Sequence, residues 1–356
     1  MGNAWQRLLV KGDLLFAVGL RDGAVLRRVN SRLPELRANR VGIYNELWSN
    51  AARELGADME DLGSVLLELR SATAVARVRE EIVQLDDPHA AERSFDKPLV
   101  HRLLRGAEVP VPQYLEVRPR GGRAAKVFLD GGPCVVKPAR GTGVGAGVTR
   151  GVETGRQLRR ALLGAAAWGG GVLLERQIEG EVYRLLFLDG ELLDVIRRRP
   201  PHVTGDGHAS ISGLISVENR RRLEARGRAG LWFLRVDYDS IFELARAGLS
   251  PKSVPGSGES VVVKSTTSQN SSEENDTVRG GVSPELVAEC ARAAGAVGLR
   301  LAGIDVVAPG LDRSLRQSGG AVIEVNAQPG LHHHYLVADP EAATPVAVPI
   351  LRALLG

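Results

Sequence analysis

Cysteine and lysine are the scarce residues of this sequence. The two cysteines, Cys134 and Cys290, lie far apart within apolar segments, so they offer no disulfide framework and point to a reducing cytoplasm. Only six of the 46 cationic side chains are Lys, and the other 40 are Arg, which makes each Lys worth inspecting. Long apolar runs are missing too: nowhere do 18 apolar residues follow one another, so no membrane-spanning helix is expected. The opening stretch, MGNAWQRLLVKGDLLFAVGL, is broken by Lys11 and Asp13 and lacks a signal-peptide core. Gln6 stands where a myristoylation signal needs Ser or Thr. Nor is charge of one sign in excess. Forty-six Lys and Arg against 42 Asp and Glu leave +4, so a pI of about 9.2 does not mark a nucleic-acid binder. No Ser–His–Asp or reactive-cysteine constellation, repeat or low-complexity tract stands out.

What is present is an ordinary globular composition: 356 residues, 44% hydrophobic and 25% charged, enough for about two domains and a substantial core. Residues 8–30 read as paired strands around the Arg21-Asp22-Gly23 turn. Residues 43–57 read as a helix with Leu47, Ala51 and Leu55 on one face. A polar break at 86–96 sets a first boundary near residue 94. Beyond it, DKPLVHRLLRGAEVPVPQYLEV reads as a short helix, a stop and a strand led in by Pro110 and Pro112. The strand PCVVK runs into the glycine-rich ARGTGVGAGV. A helix at 154–167 follows, with Leu158, Leu162 and Ala165 on one stripe, and then the strand VLLE, ending at Glu175. From about residue 179 the chain is strand-rich and Arg-rich, with loop-like composition at 250–260 and 265–281. Ser283-Pro284-Glu285 reads as a helix start, and Leu286, Cys290, Ala294 and Val297 as its apolar face. LAGIDVVA and AVIEVNA read as two closing strands.

Those last strands carry the sharpest chemical signal. Alternation puts Glu324 and Asn326 on one side of AVIEVNA, their Cα atoms roughly 7 Å apart, and turns Ile323 and Val325 to the other. With Asp305 from GIDVV they form three hard oxygen ligands, a set that suits Mg²⁺ completed by phosphates and water. A solvated strand face with incidental acids has the same pattern. In VVKPARGTGVGAGV a buried strand delivers Lys137 into a glycine-rich turn, where backbone N–H groups can approach an anion. It is neither a Walker A loop nor a Rossmann fingerprint. In VLLERQIEGEVYR, a strand end at Glu175-Arg176-Gln177-Ile178 could offer backbone hydrogen bonds to an adenine, and the acids beyond it a carboxylate to a ribose.

The order of these motifs resembles the ATP-grasp superfamily, and within it the amino-acid ligase domains of cyanophycin synthetase and of the bifunctional glutathione synthetase. The resemblance covers about residues 94–340 through VVKPARGTGVGAGV, RRRPPHVTGDGHASISGLI, LSPKSVPGSGESVVVKS, LAGIDVV and VIEVNAQPGLHHH. It implies an α+β ATP-grasp fold, two α/β subdomains clamping ATP, preceded by a small α/β N-terminal domain. Residues 1–93 would form that domain, 94–178 the central subdomain with its glycine-rich lid, and 179–356 the C-terminal subdomain with the metal and substrate site. Lys97 and Lys137 would hold the ATP phosphates, and Gly141, Thr142, Gly143, Val144 and Gly145 would close over them. Glu175, Arg176 and Ile178 would line the adenine slot. Asp305, Glu324 and Asn326 would bind Mg²⁺, with Mn²⁺ as a substitute. Arg184 and Arg198 would contact the transferring phosphate and an acyl-phosphate, for which a guanidinium fork is suited. His202, Lys264, Asn270 and His334 would belong to the substrate site. The implied activity is amide formation between amino acids or short peptides through an acyl-phosphate, releasing ADP and phosphate. ATP binding without turnover, and phosphoryl transfer without amide formation, remain the alternatives. The implied partners are small molecules, not nucleic acid or membrane, in a cytoplasmic protein with a homodimer as the default assembly.

The sequence departs from that family at several points. Val182 stands where the family has an acid before the Tyr-Arg pair, with Glu181 one residue displaced as its substitute. TTSQNSSEEND replaces a segment in which the family carries an Asn and a Gly-Gly pair, so the amino-acid site is the least defined. The second ligase module of cyanophycin synthetase is not present before the end at Gly356, which points to a small peptide product. Consecutive histidines at 332–334 would alternate sides on an extended segment, which favours a loop at the pocket mouth over a zinc site. Arg197-Arg198-Arg199 has no interleaved aromatics and suits a carboxylate or phosphate.

Overall fold

The computed structural model describes residues 32–118, 122–143, 145–169 and 171–356; the strands expected over 8–30, and Val144 of the glycine-rich loop, lie outside them. The described chain is α+β, with four sheets whose neighbouring strands all pair antiparallel. No helix among the described residues is long and apolar enough to cross a membrane.

Among the described residues, helix Leu33–Leu55 comes first. It starts well before the apolar stripe at 43–57, because Pro34 is tolerated in a first turn and the exposed opening turns need no apolar period. Gly56, at φ 65°, ends it. Tyr44, Leu47, Trp48 and Ala51 pack it against the three-stranded sheet Asp58–Asp61, Leu67–Arg70, Val75–Val78 and against the terminal helix Ala347–Leu355. Leu186, Leu188, Leu301 and Leu331 from later in the chain complete that core.

The four-stranded sheet runs, in spatial order, Tyr114–Val117, Val172–Arg176, Cys134–Pro138, Thr149–Val152. Cys134, Val136, Val172 and Leu174 face helices Gly122–Asp130 and Gly155–Ala166 in one apolar core. Alternation therefore gives Val135, Lys137, Leu173 and Glu175 to the opposite face. The five-stranded sheet runs Asn275–Thr277, Glu191–Arg198, Glu181–Leu188, Leu301–Ala308, Ala321–Ala327. Tyr183, Leu185, Phe187, Val195, Ile304 and Val306 lie in the core with helices Pro88–Ser94, Lys97–Gly106 and Pro284–Val297. Ser283 caps the last of these, its Oγ accepting from Leu286 N at 3.1 Å, which contributes roughly 1 kcal/mol. Both cysteines are buried free thiols within these cores.

The stretch after residue 179 is less purely strand than its composition suggests. It also contains helices Ile211–Glu224 and Tyr238–Arg246, capped by Ser210 and Asp237. The first buries only Ile211, Leu214, Ile215 and Leu223 among its apolar residues, too sparse a set to announce a helical period. Strand Ser260–Val262 begins at the edge of a stretch of loop-like composition, and strand Asn275–Thr277 falls within another. Their ladders come from His202–Thr204 and Glu191–Arg198, so tertiary pairing decides them.

Candidate active site

The Asp96 carboxylate caps helix Lys97–Gly106, accepting from Leu99 N at 3.0 Å. Lys97 N to Ala139 O and Gly141 N to Phe95 O, both 3.1 Å, tie the helix start to the end of strand Cys134–Pro138. Lys97 and Lys137 are thereby brought to one opening, 7% and 6% exposed. Lys97 Nζ donates to Thr142 O at 3.0 Å and stands 3.8 Å from Glu324 Oε1. Lys137 Nζ donates to Ile323 O at 3.2 Å and stands 2.6 Å from Glu175 Oε1. Two ammonium groups from one side thus meet the acid-bearing strand Ala321–Ala327 from the other. Burial holds Lys97 below its ordinary pKa despite Glu324. Burial would raise Glu175, but Lys137 and His101 outweigh it and hold that acid down at about 2.

The glycine-rich loop borders this opening. Gly141 and Gly145 adopt φ of 69° and 71°. A Cβ on Gly145 would come within 2.6 Å of Ser268 Oγ, so the bare backbone lies directly on the 265–268 segment. Thr142 is buried, whereas Gly143 has open space around it.

Register builds the other side. Glu324, Asp305, Arg184 and Ile196 lie directly opposite one another in successive strands, so their side chains share a face. Alternation adds Asn326 beside Glu324, and Asp194 and Arg198 on either side of Ile196. Arg184 grips Asp305 through Nε–Oδ1 at 2.5 Å and Nη2–Oδ2 at 2.7 Å. Burial opposes both charges, yet their attraction holds Arg184 above and Asp305 below its ordinary pKa. Arg198 lies on the same face with no carboxylate partner among the described residues. Its Nη2 donates to Thr267 O at 3.2 Å, and its Nε is buried without a partner. Burial, then Arg184, push it down to about 10. A buried guanidinium left unpaired beside a paired one is chemically an anion site.

Among the described residues, no three His, Cys, Asp or Glu side chains cluster as a metal site. The oxygen set is instead a carboxylate and a carboxamide. Asn326 Nδ2 donates to Gly303 O at 3.2 Å and Asp305 Oδ2 at 3.3 Å, leaving its Oδ1 for another partner. Glu324 keeps 31% side-chain exposure. Such hard oxygens fit a cation that retains water and anionic ligands, and fit soft metals poorly.

The other expected site residues divide. Arg176 turns to the face opposite Glu175, where it donates to Gly132 O, to Phe128 O at 2.7 Å and to Pro133 O at 3.2 Å. Ile178 lines a groove of 460 Å³ with Pro110, Pro112 and Leu315. Glu181 accepts from Tyr183 Oη at 3.0 Å and pairs with Arg197, on the side away from Arg184. His202 Nδ1 sits 3.0 Å from Glu274, which raises its pKa. Lys264 pairs with Asp237, and Asn270 donates to Asn275 Oδ1 at 2.7 Å. The three histidines, expected on an extended segment, lie on the 3₁₀ turn Leu331–His334. His332 Nδ1 meets Tyr44 Oη at 2.9 Å and His334 Nδ1 meets Asp194 at 2.7 Å. Residues missed by motif reading are His101, Tyr44 and Asp194. His101 alone had a signal, its spacing of one helical turn from Lys97.

No protein-family model matches the chain. The chain is 31% identical over 269 residues to cyanophycin synthetase of Synechocystis, covering 74% of this chain and 30% of that protein. It is 24% identical over 202 residues to the glutathione biosynthesis bifunctional protein GshAB of Clostridium perfringens, covering 56% of this chain and 26% of that one. The chain therefore spans about 30% of the length of these curated relatives. Among solved structures, a bifunctional glutathione synthetase from Pasteurella multocida shares the fold, with a TM-score of 0.52 at 22% identity over 83% of this chain and 41% of that one.

Proposed function

The chain belongs to the ATP-grasp superfamily, and on that premise we propose that it is an ATP-dependent carboxylate–amine ligase joining amino acids or short peptides. The observation that carries this reading is the meeting of Lys97 and Lys137 with the strand of Glu324 and Asn326. Lys97 and Lys137 bind the phosphate oxygens. Glu324 and Asn326, backed by Asp305, would hold Mg²⁺ or Mn²⁺, which when bound screens charge on the β- and γ-phosphates. The substrate carboxylate attacks the γ-phosphorus and ADP leaves. Arg198, with its unpartnered Nε, stabilises the charge on the resulting acyl-phosphate. The amine then attacks the acyl carbon, the C–N bond forms, and phosphate departs with the electron pair of the broken C–O bond. The glycine-rich loop, lying on the 265–268 segment, keeps water from the acyl-phosphate. In this reading the substrates are small molecules, the compartment is the cytoplasm and a homodimer is the default assembly.

The test is incubation with ATP, Mg²⁺ and pairs of amino acids, with phosphate release and product mass read together. Phosphate with a matching new amide supports the ligase. Phosphate without an amide reduces the reading to phosphoryl transfer. No release with any pair rejects it.

A further inference from the structure

We infer that His101 is a positioning residue for Lys137: by donating to Glu175 it prevents that acid from claiming the Lys137 ammonium for itself, so that Lys137 stays available to an anion. The inference rests on the nucleotide reading of the opening. His101 is 1% exposed and lies one turn after Lys97 on helix Lys97–Gly106, so both side chains project from one helix face. Its Nε2 meets Glu175 Oε1, the same oxygen that Lys137 Nζ approaches at 2.6 Å. A carboxylate only accepts, so the proton between them belongs to His101 Nε2. The ring is held in place by Tyr114, whose ring centroid lies 5.0 Å away and which sits directly opposite Glu175 in the neighbouring strand. Arg105 covers that tyrosine at 4.3 Å.

The charges around the opening explain why a second donor matters. Lys97 faces Glu324 and Lys137 faces Glu175, two cations against two acids. With Lys137 as its only donor, Glu175 would draw more of that ammonium's N–H groups to itself and leave fewer for a phosphate. His101 gives Glu175 another donor, and Lys137 divides its N–H groups between Glu175 and Ile323 O with one remaining. His101 touches no phosphate in this account; it acts through Glu175.

The experiment measures binding of AMP-PNP with Mg²⁺ by calorimetry, together with thermal midpoints, KM for ATP and kcat. His101→Leu is expected to weaken AMP-PNP about tenfold, the loss of one hydrogen bond to a charged group. KM for ATP rises with it, and kcat at saturating ATP stays within about threefold. His101→Gln keeps an N–H donor and restores most of the affinity. In a Glu175→Gln background His101→Leu becomes silent, because no carboxylate then competes for Lys137. Should the leucine variant not fold, His101→Asn, too short to reach Glu175, replaces it with the same expected loss. Wild-type affinity in the leucine or asparagine variant overturns the inference. So does absence of rescue by Gln, or an undiminished loss in the Glu175→Gln background. A wild-type chain that binds no AMP-PNP rejects the nucleotide reading itself, which is a separate outcome.

Discussion

The two sides of the opening handle charge differently. On the four-stranded side each cation has an acid within reach: Lys137 has Glu175, and Lys97 has Glu324 from across the opening. On the five-stranded side two arginines share one face but only one is matched. Arg184 holds Asp305 with two bonds and is raised above its ordinary pKa, whereas Arg198 has a carbonyl and a lone Nε and is lowered. Matched charge of this kind holds the fold together, while unmatched buried charge destabilises the empty site and is relieved by an anionic ligand. Between the two arginines, the contrast separates a supporting residue from a binding one without reference to any relative.

Substitutions can break that contrast, beginning with the largest effect. Lys137→Ala should lower substrate-dependent ADP release by about 10³-fold, since an ammonium on the transferring phosphate acts where charge develops. Glu324→Ala should lose turnover to a similar degree and also lose the Mg²⁺ dependence of nucleotide binding, seen by titrating the metal. Arg184→Ala should act on the fold instead. It strands the buried Asp305, costs about 3–5 kcal/mol, and lowers the urea midpoint. Arg198→Ala is its counterpart: turnover falls about 10²-fold while the urea midpoint holds or rises, because only the Thr267 carbonyl loses a donor and no charge is stranded. If both arginine variants lose stability equally, the distinction between matched and unmatched charge fails.

The smallest effect sharpens the lysine side. Glu175 is held at about 2 against an ordinary 4.5. Its contribution is therefore fully present above about 4.5 and is lost as pH falls toward about 2, on the order of 3 kcal/mol in all. In Lys137→Ala the acid loses a cation, so that acid-limb loss should shrink. Urea midpoints followed through this pH window read the difference.

Short motifs made part of the site legible. Lys137 stands before its glycine turn, Glu324 and Asn326 alternate in one strand, and Asp305 interrupts a recognisable apolar stretch. Strand parity carried further than motif identity. Arg176 neighbours Glu175 in sequence and faces away from it, as Glu181 does relative to Arg184, because alternation separates adjacent residues. His101 and Asp194 belong to no motif, since a buried donor or acceptor is defined by its partner in space. Helix Ile211–Glu224 was hidden because few of its positions are apolar, and strand Asn275–Thr277 because its partner, not its own composition, makes it a strand.

The most direct measurement is a crystal structure of the full chain with AMP-PNP and Mg²⁺. The account predicts terminal phosphates within hydrogen-bonding distance of Lys97 and Lys137, and the cation on Glu324 and Asn326. A nucleotide bound elsewhere, with Lys137 still on Glu175 and Ile323 and with Glu324 turned to solvent, would contradict it.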